Sequence, residues 1–280
     1  MAATRIRILC ENRAGLPRFI LGEHGFSAHI QHGDRTLLLD TGQGMTLAHN
    51  AGALKIDLSL LDHLVISHGH YDHTGGLAGL PLQRKTPLLH AHPGVFTPKY
   101  LTPVPGDAPI FIGSPVGLEE VKALNILPCL SRELSEIAPG IWFSGEIPRV
   151  TDFERPDPGM TLKTNVGHVP DLLLDDTALL ISTDSGPIIV TGCAHAGIVN
   201  TMEHFSRELG FKSFHSIIGG THLAFTRQPA QLEETMAAFN RFQVRKIAVS
   251  HCTGEAASAA LYHKFGNRFA FAHAGWQVRF

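Results

Sequence analysis

Residues 64–76, LVISHGHYDHTGG, set a short, partly β-branched apolar run directly against three histidines and an aspartate. The run is too short for a buried helix and lacks polar alternation, as expected of a strand covered on both faces. Its Gly- and Thr-rich continuation reads as a tight loop entering a helix. Residues two apart on an extended segment point the same way, so His68 and His70 can share one metal ion, while Asp72 and His73, after the turn, face a second.

The pattern recurs. RIRILC (5–10), FSAHIQHG (26–33), RTLLLDTG (35–42), TPLLHAH (86–92), GIWFSGEI (140–147), DTALLIST (176–183), GPIIVTGC (186–193), FHSIIGG (214–220) and KIAVS (246–250) all read as strands bounded by Gly or polar residues. Ile198, Val199, Met202, Phe205 and Leu209 fall at helical spacing, with Gly210 as a stop; Leu232, Met236 and Phe239 stripe a second helix. Two strand-rich halves with interspersed helices predict two sheets packed face to face with helices outside, in a single domain over 1–280. Residues 93–115 carry repeated Pro and Gly and are expected to form a surface excursion or a lid over a pocket.

Three later histidines stand just beyond predicted strands: His195, His222 and His251. Eighteen histidines in 280 residues are a large stock of the commonest metal ligand. Lys and Arg total 23 against 25 Asp and Glu, so no broad basic surface is expected for nucleic acid. No run reaches about 18 apolar residues, which argues against a membrane span. The first fifteen residues lack the apolar core of a signal peptide, and Cys10, Cys129, Cys193 and Cys252 show no disulfide spacing. A cytoplasmic protein acting on a small molecule is the expectation.

SHGHYDHTGG resembles the HxHxDH signature of the metallo-β-lactamase superfamily, and LLLDTG resembles the strand that precedes it. The resemblance implies an α/β, four-layer αβ/βα sandwich, a metal-dependent hydrolase activity, and one or two divalent ions, zinc first and manganese or iron as alternatives. It implies that Asp40 orients a histidine ligand. GEHGFSAHI, GEIPRVTDFE, LLDDTALLI, TGCAHAGIVNT, IGGTHL and SHCTG are further similar to a subgroup that carries the name dihydropterin-ribofuranosyl-aminobenzene phosphate synthase.

The sequence departs from the superfamily where a bridging Asp often follows a late strand: TGC puts Cys193 in that slot. On this reading His195 supplies the missing ligand, His251 completes the second site, and His222 is a further ligand or a proton donor. Cys193 and Cys252 could bind a soft metal as thiolates, although buried cysteines read first as packing residues. The metal set is then His68, His70, Asp72, His73, His195, His222 and His251, with Asp72 and His222 in catalytic roles. His24, Arg149 and His168 are candidate substrate contacts, and His92 is the first of the remaining histidines to watch. The rivals are the synthase of the subgroup name and a metal- or ligand-binding protein without catalysis on the same fold.

Overall fold

A computed structural model describes residues 2–16, 19–104, 106–226, 228 and 230–280. Among them, two seven-stranded sheets form the centre. The first runs in the order Gln277–Arg279, Thr4–Cys10, Ser27–His32, Arg35–Leu39, His63–Val65, Leu88–Ala91, Leu127–Leu130. The second runs Phe269–Phe271, Lys246–Val249, Ser216–Gly219, Ile188–Thr191, Ala178–Ile181, Ile141–Phe143, Ser135–Ala138.

The continuous apolar runs are explained by burial on both faces. Leu37, Leu39, Val65, Leu179, Ile181, Ile188, Val190, Ile218 and Ala248 point into one core between the sheets. Their neighbours Leu38, Leu64 and Ile66 turn outward under the helix Leu47–Ala53. On the other side Leu180, Ile189, Ile217 and Ile247 pack beneath the helices Ile198–Leu209, Gln231–Arg241 and Glu255–Phe265. The order helix, sheet, sheet, helix is the predicted four-layer sandwich.

The helix Ile198–Leu209 begins at Gly197 (φ +103°), and Gly210 (φ +77°) takes the left-handed turn that stops it. Buried Glu154 supplies the missing N-terminal acceptor, taking the Val199 and Asn200 backbone N–H groups at 2.8 and 2.7 Å.

The expected Pro/Gly-rich excursion at 93–115 is more regular than its composition suggested. Lys99–Leu101 and Ile110–Phe111 pair with Met160–Thr164 and Gly167–Pro170 in a separate four-stranded sheet; Pro105 lies outside the described residues. Leu101, Pro103 and Ile112 of this segment form part of a cavity wall.

Within each large sheet the strands nearest the site run parallel: Arg35–Leu39 through Leu127–Leu130 in the first, Ile188–Thr191 through Phe269–Phe271 in the second. Their C-terminal ends therefore open on one edge of the sandwich, and ligand sites of parallel sheets form at such ends.

Candidate metal centre

Four loops at that edge bend sharply. Asp40 (φ +58°), Ala194 (+60°), His222 (+55°) and His251 (+49°) all hold left-handed backbone without being glycine. Such conformations cost of order 1–3 kcal/mol each and collect at functional sites. His68, His70, Asp72 and His73, on the loop after His63–Val65, meet Cys193, His195, His222 and His251, on the bent loops of the second sheet, to form the floor at this edge.

The donor atoms form two poles. His68, His70 and His195 each bring one ring nitrogen within 4.8 Å of the others, and His24, Asp72 and His251 form a second such group. His73 Nε2 lies 3.8 Å from Asp72 Oδ2, joining the second pole. Cys193 sits between: its sulfur groups with His68 and His73, with His195 and His222, and with His251 and Cys252. It is 4% exposed and 3.2 Å from His73 Nε2. Cys193 and Cys252 both line the cavity and stand within reach of the histidine donors, the placement that the thiolate alternative requires.

The far nitrogens are fixed by partners, which aims the near ones inward. Asp40 Oδ2 accepts from His73 Nδ1 at 2.7 Å, and Asp40 also takes the Ser67 N–H and hydroxyl, both at 2.7 Å. Ser67 Oγ is 3.0 Å from His68 Nδ1. Asn12 Oδ1 lies 2.8 Å from His251 Nδ1, and Glu11 Oε1 accepts the His251 backbone N–H. Asp157 Oδ2 stands 3.1 Å from His195 Nδ1 and 2.8 Å from His222 Nε2.

The electrostatics suit a cation. Burial would lower the pKa of His73, yet Asp40 and Asp72 outweigh it and push it up to about 9. His222 is likewise pushed up to about 10, with hydrogen bonds to Asp157 and Cys252 overcoming burial. Burial would raise the Asp72 carboxyl, but His73, His24 and His251 hold it well below the usual range. His68 and His70, deeply buried beside other histidines, are held well below the ordinary imidazole value, in the neutral form that ligates metal. His70 Nε2 and His195 Nε2 are buried without a hydrogen-bond partner. Buried polar atoms seldom go unbonded, and here a divalent ion fits them.

Above this floor is a cavity of about 300 Å³, walled by Tyr71, Leu101, Pro103, Ile112, Met160 and Phe225. Of the expected substrate contacts, His24 lines it, with Nε2 3.2 Å from Asp72 Oδ2. Arg149 does not: its guanidinium donates to the His195 carbonyl and lines a separate depression with Leu172 and Leu174. His168 is on the exposed Gly167–Pro170 strand, against Tyr100 and Thr161, also outside the cavity wall. It sits at the exposed outer strand of the small sheet, paired among the described residues only with Met160–Thr164. His92 bonds Glu146 instead. Asp157 was missed, since RPDPGM carries no ligand spacing; only its two flanking prolines hint at a fixed loop.

Residues 22–254 match the model of the metallo-beta-lactamase superfamily, and the chain belongs to that superfamily. It is 29% identical, over 99% of its length and 96% of the relative's, to 7,8-dihydropterin-6-methyl-4-(beta-D-ribofuranosyl)-aminobenzene-5'-phosphate synthase of Methanocaldococcus jannaschii. Among solved structures it is similar to Tm1679, described as a metal-dependent hydrolase of the beta-lactamase superfamily, with a TM-score of 0.82, 27% identity and 98% of each chain covered. The zinc-bound PqqB of Methylobacterium extorquens shares the fold at a TM-score of 0.59 and 12% identity, over 98% of this chain and 99% of that one.

Proposed function

We propose that the protein is a metal-dependent hydrolase of a small ester, lactone, thioester or phosphoester-type substrate. One or two divalent ions, zinc foremost and manganese or iron as alternatives, would be held by His68, His70 and His195 and by Asp72, His73 and His251, with Cys193 between. The observation that carries this reading is the pair of donor groups sharing Cys193 beneath the cavity, with the buried His70 and His195 nitrogens left unbonded. When bound, such ions polarise a carbonyl or phosphoryl oxygen and furnish hydroxide near neutral pH.

The chain's own groups fill the remaining roles. Asp72, reached by His24 and His251, faces the cavity and orients the attacking water. His222, held by Asp157 beside His195, is placed to give a proton to the leaving group. The apolar walls exclude water and favour a substrate with an apolar or aromatic body. The four described cysteines are all unpaired, which supports a reducing, cytoplasmic setting.

A second reading is favoured by the end-to-end similarity to the M. jannaschii synthase: an enzyme acting on a reduced pterin and a phosphorylated ribosyl-aminobenzene. Protein prepared without chelator is expected to carry one to two ions per chain by elemental analysis, and to hydrolyse a member of an ester, lactone, thioester and phosphoester panel. His70→Ala should abolish that turnover. Metal-loaded protein that hydrolyses nothing, yet is stabilised against heat by a reduced pterin, would transfer the case to the second reading. Absence of metal even after reloading would sink both.

A further inference from the structure

We infer that Asp175, Asp176 and Thr177, backed by the buried amine of Lys99, form a positioning element that sets the spacing of His68, His70 and His195. The inference rests on the reading of those three histidines as metal ligands. It concerns residues that touch neither ion nor substrate.

The three consecutive residues reach loops from both large sheets. Asp175 Oδ2 accepts the Gly69 N–H at 2.8 Å, and Gly69 is the residue between His68 and His70. Asp176 Oδ2 accepts the Ala196 N–H at 2.8 Å, one residue beyond His195. Thr177 donates both its N–H and its hydroxyl to the Ser67 carbonyl, at 2.8 and 2.9 Å, one residue before His68. A single short segment therefore grips the chain on both sides of His68, just before His70 and just after His195.

Lys99 makes the grip rigid. Its ammonium donates to Asp175 Oδ1 at 2.8 Å and to Asp171 Oδ2 at 2.7 Å, and all three side chains are at most 3% exposed. Lys99 belongs to the strand Lys99–Leu101 of the small sheet, whose Leu101 walls the cavity. The contact is close-packed: a Cβ on Gly69 would stand 2.0 Å from the Val95 carbonyl and 3.1 Å from Lys99 Cε. No side chain fits at Gly69. The buried ammonium satisfies the carboxylates, and the carboxylate that it orients fixes the ligand loop; removing one partner of such a cluster leaves an unpaired buried charge.

A cluster that merely glues the small sheet to the sandwich makes a different prediction from one that positions ligands. Asp171 and Asp175 share the same Lys99 and the same burial, but only Asp175 holds the ligand loop; Asp171 instead accepts the Leu173 N–H. Asp171→Ala and Asp175→Ala are thus matched variants. Zinc affinity would be read by competition with a chromogenic chelator, ligand geometry by the visible spectrum of the cobalt(II)-loaded protein, and stability by thermal unfolding of each metal-free protein.

Both metal-free variants should unfold at lower temperature. Asp175→Ala should weaken zinc binding about 10- to 100-fold and alter the cobalt spectrum, whereas Asp171→Ala stays within about threefold of the parent with its spectrum unchanged. Equal losses in the two variants, or an unchanged Asp175→Ala, would overturn the assignment. If Asp175→Ala shows no cooperative unfolding, Asp175→Asn, which keeps the volume and removes the charge, is held to the same comparison. A parent protein that takes up no metal overturns the metal reading and this inference together, and is told apart from the other outcomes by that observation alone.

Discussion

At the scale of single residues, Cys193 is the donor that, on the proposed reading, sets how many ions the floor holds. Its sulfur stands among donors of both poles, where a thiolate can serve each. Cys193→Ser removes the sulfur donor at nearly constant volume, and should weaken binding of one ion about tenfold or more while the other stays in place. Cys193→Asp, which supplies a carboxylate at the same point, should retain more metal than the serine variant; elemental analysis after dialysis against dilute zinc checks both. Equal stoichiometry in all three proteins would show that the sulfur is not a ligand. The sequence put Cys193 where the superfamily often has its bridging Asp, yet a buried thiol beside small residues reads first as packing, because nothing local distinguishes a ligand sulfur from a packed one. Asp157 was not legible at all: its bonds to His195 and His222 close across 38 and 65 positions of chain, and no local spacing records them. The HxHxDH residues were legible because a strand and one turn bring them together locally.

At the scale of elements, the strands were readable because burial on both faces leaves unbroken apolar runs. The helix Glu255–Phe265 was not, since EAASAALYHKF buries only Leu261 and Phe265 as large apolar residues and shows little contrast between faces. Met160–Thr164 and Gly167–Pro170 were missed for a related reason: they form a largely exposed hairpin without apolar alternation. One cross-strand pair has a pH consequence away from the metal floor. Arg7 and His29 face each other in register between Thr4–Cys10 and Ser27–His32, with Arg7 Nη2 3.3 Å from His29 Nδ1. Burial, then the charges of Arg7 and Arg5, lowers the His29 pKa to about 3. Because the folded value lies below the unfolded one, the unfolded chain binds the extra proton in between. Stability from neutral His29 is complete above about pH 6.5 and is lost as pH falls toward about 3, at no more than about 1.4 kcal/mol per unit. Thermal unfolding of metal-free protein from pH 7.5 to 4 should show a shallower slope in His29→Gln than in the parent. Parallel slopes would mean that His29 is protonated, or relaxed, in the folded state.

At the scale of the whole molecule, the ions on this reading are cross-links between halves. His68, His70, Asp72 and His73 follow a strand of the first sheet, whereas Cys193, His195, His222 and His251 follow strands of the second. The inter-sheet core, from Ile6 and Leu37 to Ile188 and Ile218, holds the sheets together without metal, so the apoprotein should remain folded. A ligand that binds only the folded chain adds about 4 kcal/mol when free metal is 1,000 times its dissociation constant. For a chain of this size that corresponds to roughly 10 °C in unfolding temperature. Chelation should therefore lower the calorimetric midpoint by that order, leave the near-ultraviolet circular dichroism largely native, and be reversed by zinc. His251→Ala, which deletes a second-sheet donor, should reduce the zinc-dependent part of the shift more than it reduces the stability of the metal-free protein. A midpoint indifferent to chelator would mean that the unfolded chain, with its many histidines and thiols, holds metal as well as the folded one, or that no ion bridges the halves. The chelator dependence of refolding separates these two, since only the first requires metal to stay bound to the unfolded chain.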